Sequence, residues 1–222
     1  MLGVIMAGGE SRRLGMDKAT VMLGNEPLWR RQQQVLREAG ATRTVMVRRP
    51  GQFAPADVEC WYDQVAGVGP MGGLHTALVA HATDQIAVLA VDMPGIAADW
   101  FHWLGEACGP GCGAMVRHVE ACEPMAAIYP SSALAEVTSR LAHGDYSLQR
   151  LALALAEAGH MTLIPLSASA KTRLRSINTP EDLDYWMARE EGTEPVTPEP
   201  ARDARIAITG AIIFPANSPL SR

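Results

Sequence analysis

A short apolar run, Leu2 to Met6, passes through Ala7 into the glycine pair Gly8-Gly9. An uninterrupted apolar stretch of strand length, bounded by glycines, reads as a buried strand feeding a tight loop. Helical spacing follows from Pro27 to Ala39, where Leu28, Val35, Leu36 and Ala39 share one face and Gly40 supplies a stop signal. Thr44 to Val47 and Glu59 to Tyr62 read as the second and third strands. Gly69-Pro70-Met71-Gly72-Gly73 is predicted to be a loop that opens a helix reaching about His81. Ile86 to Val91 is apolar throughout, the pattern of a parallel strand covered on both faces. Proline in Asp92-Met93-Pro94 then stops its ladder.

The second half is less regular. Ala114 to Arg117, Met125 to Tyr129 and Met161 to Leu166 read as strands, and Ser132 to Ala142 and Ser147 to Ala158 as helices. Thr179-Pro180-Glu181-Asp182 is a helix start: a capping threonine, proline at the first position, then two acids at the positive end of the dipole. That helix carries Leu183, Trp186 and Met187 and is predicted to end near Arg189. Strand and helix alternate over the first hundred residues, which predicts an α/β fold with a mostly parallel sheet. Ligands of such sheets sit at the carboxyl ends of the strands, and Gly8, Asp63 and Asp92 all fall just after predicted strands.

The pattern breaks near residue 190. Glu190 to Arg205 is rich in Glu, Pro, Thr and Arg and reads as a linker, and Ile206 to Phe214 is apolar again and could dock as an extra strand. The division expected is therefore a domain over 1–190 and a linker with a tail over 191–222. There are no internal repeats.

Composition narrows the function classes. The chain has 222 residues, 48% hydrophobic and 19% charged, with a net charge of −5. That length can bury a substantial core without disulfides. An acidic balance argues against nucleic acid as a partner. No apolar run approaches the ~20 residues of a membrane span, and the N-terminus lacks a signal peptide's basic and apolar regions, so a cytoplasmic protein without membrane contact is expected. The four cysteines read as reduced thiols; Cys108 and Cys112 have metal-like spacing but no paired Cys/His element. The six histidines form no ligand or triad spacing, and Ser11 lacks the Gly-x-Ser-x-Gly context of a hydrolase nucleophile.

Against that acidic background the segment Met6-Ala7-Gly8-Gly9-Glu10-Ser11-Arg12-Arg13-Leu14-Gly15-Met16-Asp17-Lys18 stands out. Adjacent glycines let a ligand approach the backbone, whose N–H groups can cradle an anion or meet a base edge. Arg13 and Lys18 add the charge that triphosphate oxygens require. The segment is neither a Walker loop nor the Rossmann dinucleotide fingerprint; Gly-Gly alone would equally suit a plain strand-to-helix turn. Asp92, ending a buried strand, can hold a Mg²⁺ that bridges phosphate oxygens, or cap its turn. Asp63 is a site acid or a solvated loop acid. The Gly69 to Gly73 loop either approaches ligand or simply opens its helix.

Taken together these motifs resemble the molybdenum cofactor guanylyltransferase family, the MobA-like nucleotidyltransferases. The resemblance runs over about residues 2–190. It rests on Met6-Ala7-Gly8-Gly9-x-Ser11-x-Arg13-Leu14-Gly15-x-Asp17-Lys18, Pro27-Leu28, Gly69-Pro70-Met71-Gly72-Gly73-Leu74, Asp92-Met93-Pro94 and Ile177-Asn178-Thr179-Pro180-Glu181-Asp182-Leu183. It implies a Rossmann-like nucleotidyltransferase sheet with helices on both faces. The implied reaction is transfer of GMP from GTP to the terminal phosphate of molybdopterin, with Mg²⁺ and release of pyrophosphate. Met6, Ala7, Gly8 and Gly9 would line the guanine pocket, Arg13 and Lys18 would hold phosphates, Asp92 would bind Mg²⁺, Asp63 would contact the nucleoside, and Asn178 would lie near the pterin. Other cofactor-biosynthesis proteins and apo-molybdoenzymes would be handover partners. Two positions depart from the family pattern: Val47-Arg48-Arg49, where the family usually places Asn, and Ser176, where Asn-Ile-Asn becomes Ser176-Ile177-Asn178. The competing readings are a cytidylyltransferase of the same superfamily and a catalytically idle nucleotide- or cofactor-binding module.

Overall fold

The computed structural model describes residues 1–9, 13–65, 67–80, 84–118, 121–167 and 169–190. Ser11, Arg12, His81 and the tail with its apolar segment Ile206 to Phe214 lie outside the described residues.

The chain opens with strand β1 (Leu2–Met6) and, after a short 3-10 turn at Lys18–Thr20, a small hairpin of β2 (Met22–Leu23) and β3 (Glu26–Pro27). Helix α1 (Leu28–Glu38), β4 (Arg43–Arg48), β5 (Glu59–Tyr62), α2 (Pro70–Ala80), β6 (Gln85–Ala90) and α3 (Ala98–Ala107) complete the first half. The second half holds β7 (Gly113–His118), β8 (Ala121–Cys122), β9 (Ala126–Pro130), α4 (Ala133–Ala142), α5 (Leu148–Glu157), β10 (Met161–Pro165), a 3-10 segment Ser169–Leu174 and α6 (Pro180–Glu190).

The main sheet runs β10-β7-β9-β6-β1-β4-β5, with β8 hairpinned onto β7. β1 pairs in parallel with both β4 and β6, and β9 runs antiparallel to both of its neighbours. The sheet is therefore mixed but mostly parallel. Alternate side chains feed two cores, as the period of two demands. Leu2, Val4 and Met6 face Met71, Leu74, Val137 and Leu151 of α2, α4 and α5. Ile5 and Ala7 face Leu36, Trp100 and Trp186 of α1, α3 and α6. Helices thus cover both faces, as expected.

Three local results differ from the sequence reading. The Gly69 to Gly73 stretch is not a loop: α2 begins at Pro70, with Gly72 and Gly73 inside its first turn. Their reason is close approach. A Cβ on Gly73 would sit 2.6 Å from Met6 Cε, and one on Gly72 would sit 2.5 Å from Asp63 Oδ1. α3 carries no side-chain cap at Ala97, so the pattern alone gave no start signal for it. Gln32 sits in the apolar stripe of α1 and is fully buried. Its Nε2 donates to the Met93 carbonyl at 3.0 Å and the Val91 carbonyl at 3.4 Å, so a core-facing amide braces the turn that follows β6.

Candidate active site

The carboxyl ends of β1, β4, β5 and β6 open into a cleft of about 740 Å³. Each wall comes from a different stretch of chain. Met6, Ala7, Gly8 and Gly9 extend β1, while Arg13 and Lys18 return from the segment that follows. Asp63 follows β5, Asp92 follows β6, and Asn178 precedes α6. All nine predicted site residues line this one cavity.

Its centre is a cross-link between three distant segments. Lys18 Nζ donates to Asp92 Oδ2 at 2.5 Å and to Asn178 Oδ1 at 2.7 Å. The backbone sets those positions. Asp17 caps the Lys18–Thr20 turn by accepting from the Ala19 amide at 3.0 Å. Val91 N–H donates to the Met6 carbonyl at 3.0 Å, which fixes Asp92 beside the end of β1. Ile177, fully buried, donates its amide to the Asp92 carbonyl at 2.8 Å and so lays Asn178 alongside. α6 begins at the cap foreseen: Thr179 Oγ1 accepts from the Asp182 amide at 3.3 Å, and Asp182 Oδ2 accepts from the Asn178 and Thr179 amides at 3.0 and 3.1 Å.

The two arginines at the departure from the family pattern hold the loop. Arg48 has no exposed surface and pairs through Nη2 with Asp17 Oδ2. Arg48 is fully buried and Asp17 part-buried, so this contact is an anchor for the residue next to Lys18. Arg49 Nε donates to the Gly8 carbonyl, and Gln52 Nε2 donates to the Gly9 carbonyl at 3.2 Å. Both loop carbonyls are thereby held by side chains of the β4–β5 connection. Sequence reasoning missed these clamps, because neither arginine nor glutamine in a loop has a pattern that marks it as inward-facing.

Two acids in the cleft are shifted upward. Burial raises the Asp63 carboxyl, against the opposing hydrogen bond from the Val65 amide and the positive charge of Arg49. Burial also raises Glu123, with the Met125 amide opposing and the negative charge of Asp92 adding to the rise. Glu123 lines the cleft as well. It too was missed: a lone acid before proline carries no periodic signal. Among the described residues no group of three or more His, Cys, Asp or Glu could hold a metal ion, and all four cysteines are free thiols. No helix of the described residues is long and apolar enough to cross a membrane.

The family model of the MobA-like NTP transferase domain matches residues 3–159 of the chain. The chain belongs to that family. It is 47% identical over 188 residues to a "probable molybdenum cofactor guanylyltransferase" of Opitutus terrae, covering 83% of this chain and 93% of that protein. A molybdenum cofactor guanylyltransferase of Xanthomonas euvesicatoria pv. vesicatoria is 32% identical over 182 residues, covering 81% and 90%. The crystal structure of molybdopterin-guanine dinucleotide biosynthesis protein A from Archaeoglobus fulgidus superposes with a TM-score of 0.66 at 27% identity, covering 86% of this chain and 99% of that one. This nucleotidyltransferase fold therefore carries its family's signature loop at the strand ends where the cleft opens.

Proposed function

We infer that the protein transfers GMP from GTP to the terminal phosphate of molybdopterin, releasing pyrophosphate. The observation that carries this reading is the meeting of Lys18, Asp92 and Asn178, from three separate segments, directly beside the Gly8-Gly9 loop. Names borne by relatives of 47% and 32% identity support the choice of guanine nucleotide and of acceptor.

The residues divide the work by position. Met6, Ala7, Gly8 and Gly9 offer backbone groups to the guanine, and Asp63 lies where the ribose would be met. Arg13 and Lys18 hold the triphosphate and compensate charge that builds on it. Asn178 orients the acceptor phosphate. An oxygen of that phosphate forms the new bond to the α-phosphorus of GTP. The bond from that phosphorus to the bridging oxygen breaks, and pyrophosphate leaves with the electron pair. No covalent enzyme intermediate is needed, because positioning and electrostatic stabilisation are sufficient for such an in-line displacement. The site fits Mg²⁺. Asp92 is a hard oxygen donor at the cleft centre, and this ion usually takes one or two carboxylates plus substrate phosphates rather than an all-protein cage. When bound, the ion neutralises charge on the phosphates.

Pyrophosphate release with molybdopterin and Mg²⁺ tests the reading. GTP is expected to support turnover well above CTP, and a CTP preference would overturn the guanylyl assignment. Asp92→Asn is expected to lower turnover by about 10²–10³-fold while cooperative melting is retained. Unchanged turnover in that variant would remove Asp92 from the machinery.

A further inference from the structure

Glu123 is a half-buried acid lining the cleft that the reaction scheme above leaves without a task. Its surroundings hold it rigidly. Its amide donates to the Val116 carbonyl at 2.9 Å, and its Oε1 accepts from the Met125 amide at 3.0 Å. The next residue is locked by Tyr129, fully buried, whose hydroxyl donates to the Pro124 carbonyl at 3.0 Å. The one after is tied to the Asp92 strand, since Ala90 N–H donates to the Met125 carbonyl at 2.7 Å. Among the described residues no cation bonds to Glu123; Lys18 is directed to Asp92 and Asn178. A rigidly held carboxylate at the cleft wall, with one oxygen engaged by the Met125 amide, leaves acceptor positions for donors that a ligand brings.

Its place in the cleft selects the ligand. The strand order β9-β6-β1-β4 spreads the cleft floor over three spacings, about 14 Å at the usual strand separation. The β4 end carries Arg49 and leads to Asp63. Asp92, after β6, lies between that end and the turn before β9 that holds Glu123 and Met125. If the nucleoside occupies the β1–β4 end, Glu123 faces the acceptor. A pterin presents two parallel donors on one edge, the ring N3–H and the 2-amino group. A carboxylate is their planar complement, and its oxygens have lone pairs enough to accept both while Oε1 keeps the Met125 amide.

We propose that Glu123 recognises the pterin of the acceptor by accepting hydrogen bonds from its N3–H and 2-amino group, and so determines acceptor specificity. This rests on the reading of the cleft as a guanylyltransferase site.

Binding of pterin and of lumazine, which has an oxygen in place of the 2-amino group, is measured by saturation-transfer NMR. The wild type is expected to favour pterin at least about tenfold, as the loss of one hydrogen bond to a charged group would give. Glu123→Gln keeps the bond from Met125 through its amide oxygen and presents an N–H to the lumazine oxygen, so its preference should shrink to within about threefold. In turnover, that variant should raise KM for molybdopterin while KM for GTP and Mn²⁺ affinity stay at wild-type values. Equal binding of pterin and lumazine by the wild type would overturn the assignment. So would a Glu123→Gln variant that loses Mn²⁺ affinity with its pterin preference intact, since Glu123 would then be holding metal. Failure of the guanylyltransferase reading appears separately, as absence of GMP transfer by a wild type that still prefers pterin.

Discussion

Lys18 faces a conflict that a single side chain must resolve. Its ammonium covers the Asp92 carboxylate at 2.5 Å, yet that carboxylate is the proposed metal ligand and Lys18 the proposed triphosphate contact. Both roles are met at once only if Lys18 moves to the triphosphate as the metal arrives. The partly buried pair is worth on the order of 1 kcal/mol, or about fivefold in an equilibrium. Lys18→Met is therefore expected to bind Mn²⁺ in the absence of GTP about fivefold more tightly than wild type, while its affinity for GTP falls. Mn²⁺ titration followed by electron paramagnetic resonance reads the first, and calorimetry the second. Mn²⁺ affinity that is unchanged or weaker in the variant would show that Lys18 does not guard Asp92.

Elements are held by contacts of a different kind. The link between α4 and α5 turns on Asp145, which accepts from Arg140 Nη1 at 2.5 Å, Arg150 Nε at 3.0 Å and the Ser147 amide at 3.1 Å. The hydrogen bond from Arg150, then that from the Ser147 amide, hold its carboxyl well below the ordinary 3.8. A carboxyl lowered by folding adds stability above its unfolded value and loses it as pH falls through the folded one. Asp145→Asn should thus lower the thermal midpoint at pH 7, and the gap to wild type should narrow as the pH drops below the ordinary carboxyl value. A gap that is constant with pH would mean that the charge is not what joins the helices. This link was not legible in the sequence, although α4 and α5 themselves were. Elements whose apolar spacing is continuous, such as Leu2 to Met6 and Ile86 to Ala90, declare themselves because burial on both faces requires such runs. Gly72 and Gly73 misled because glycine usually breaks helices, whereas here it lets α2 reach Met6 and Asp63. The site was legible where chemistry clusters along the chain, from Gly8 to Lys18. It was illegible where it depends on one inward side chain, as at Gln32, Arg48 and Glu123.

At the scale of the whole molecule, the question is how much chain the site needs. The family profile ends at residue 159, yet Asn178 lies beyond it, lines the cleft and accepts from Lys18. The segment 169–190 is bound to the rest at many points. Arg173 Nη1 donates to Asp99 Oδ2 at 3.0 Å, Trp186 is buried in the core that α1 and α3 share, and Arg31 pairs with Glu190 at 2.6 Å. Trp186 packs so closely that a Cβ on Gly95 would lie 2.5 Å from its ring and 2.6 Å from the Arg173 carbonyl, leaving no room for any larger residue in the turn after Asp92. Deleting a buried tryptophan alone costs about 3–5 kcal/mol, a large share of the 5–15 kcal/mol that keeps a domain folded. A chain ended after Ser167 is therefore expected to lose cooperative melting. One ended after Glu190 keeps every contact described above, and should match the full chain in thermal midpoint and in GMP transfer within about twofold. Loss of transfer with melting intact in the 1–190 chain would place part of the working site in residues 191–222 and end the division proposed at 190. Gly95→Ala probes the same junction without deletion. Overpacking there should cost about 1–3 kcal/mol and weaken GMP transfer with it, because the displaced strap carries Asn178 away from Lys18.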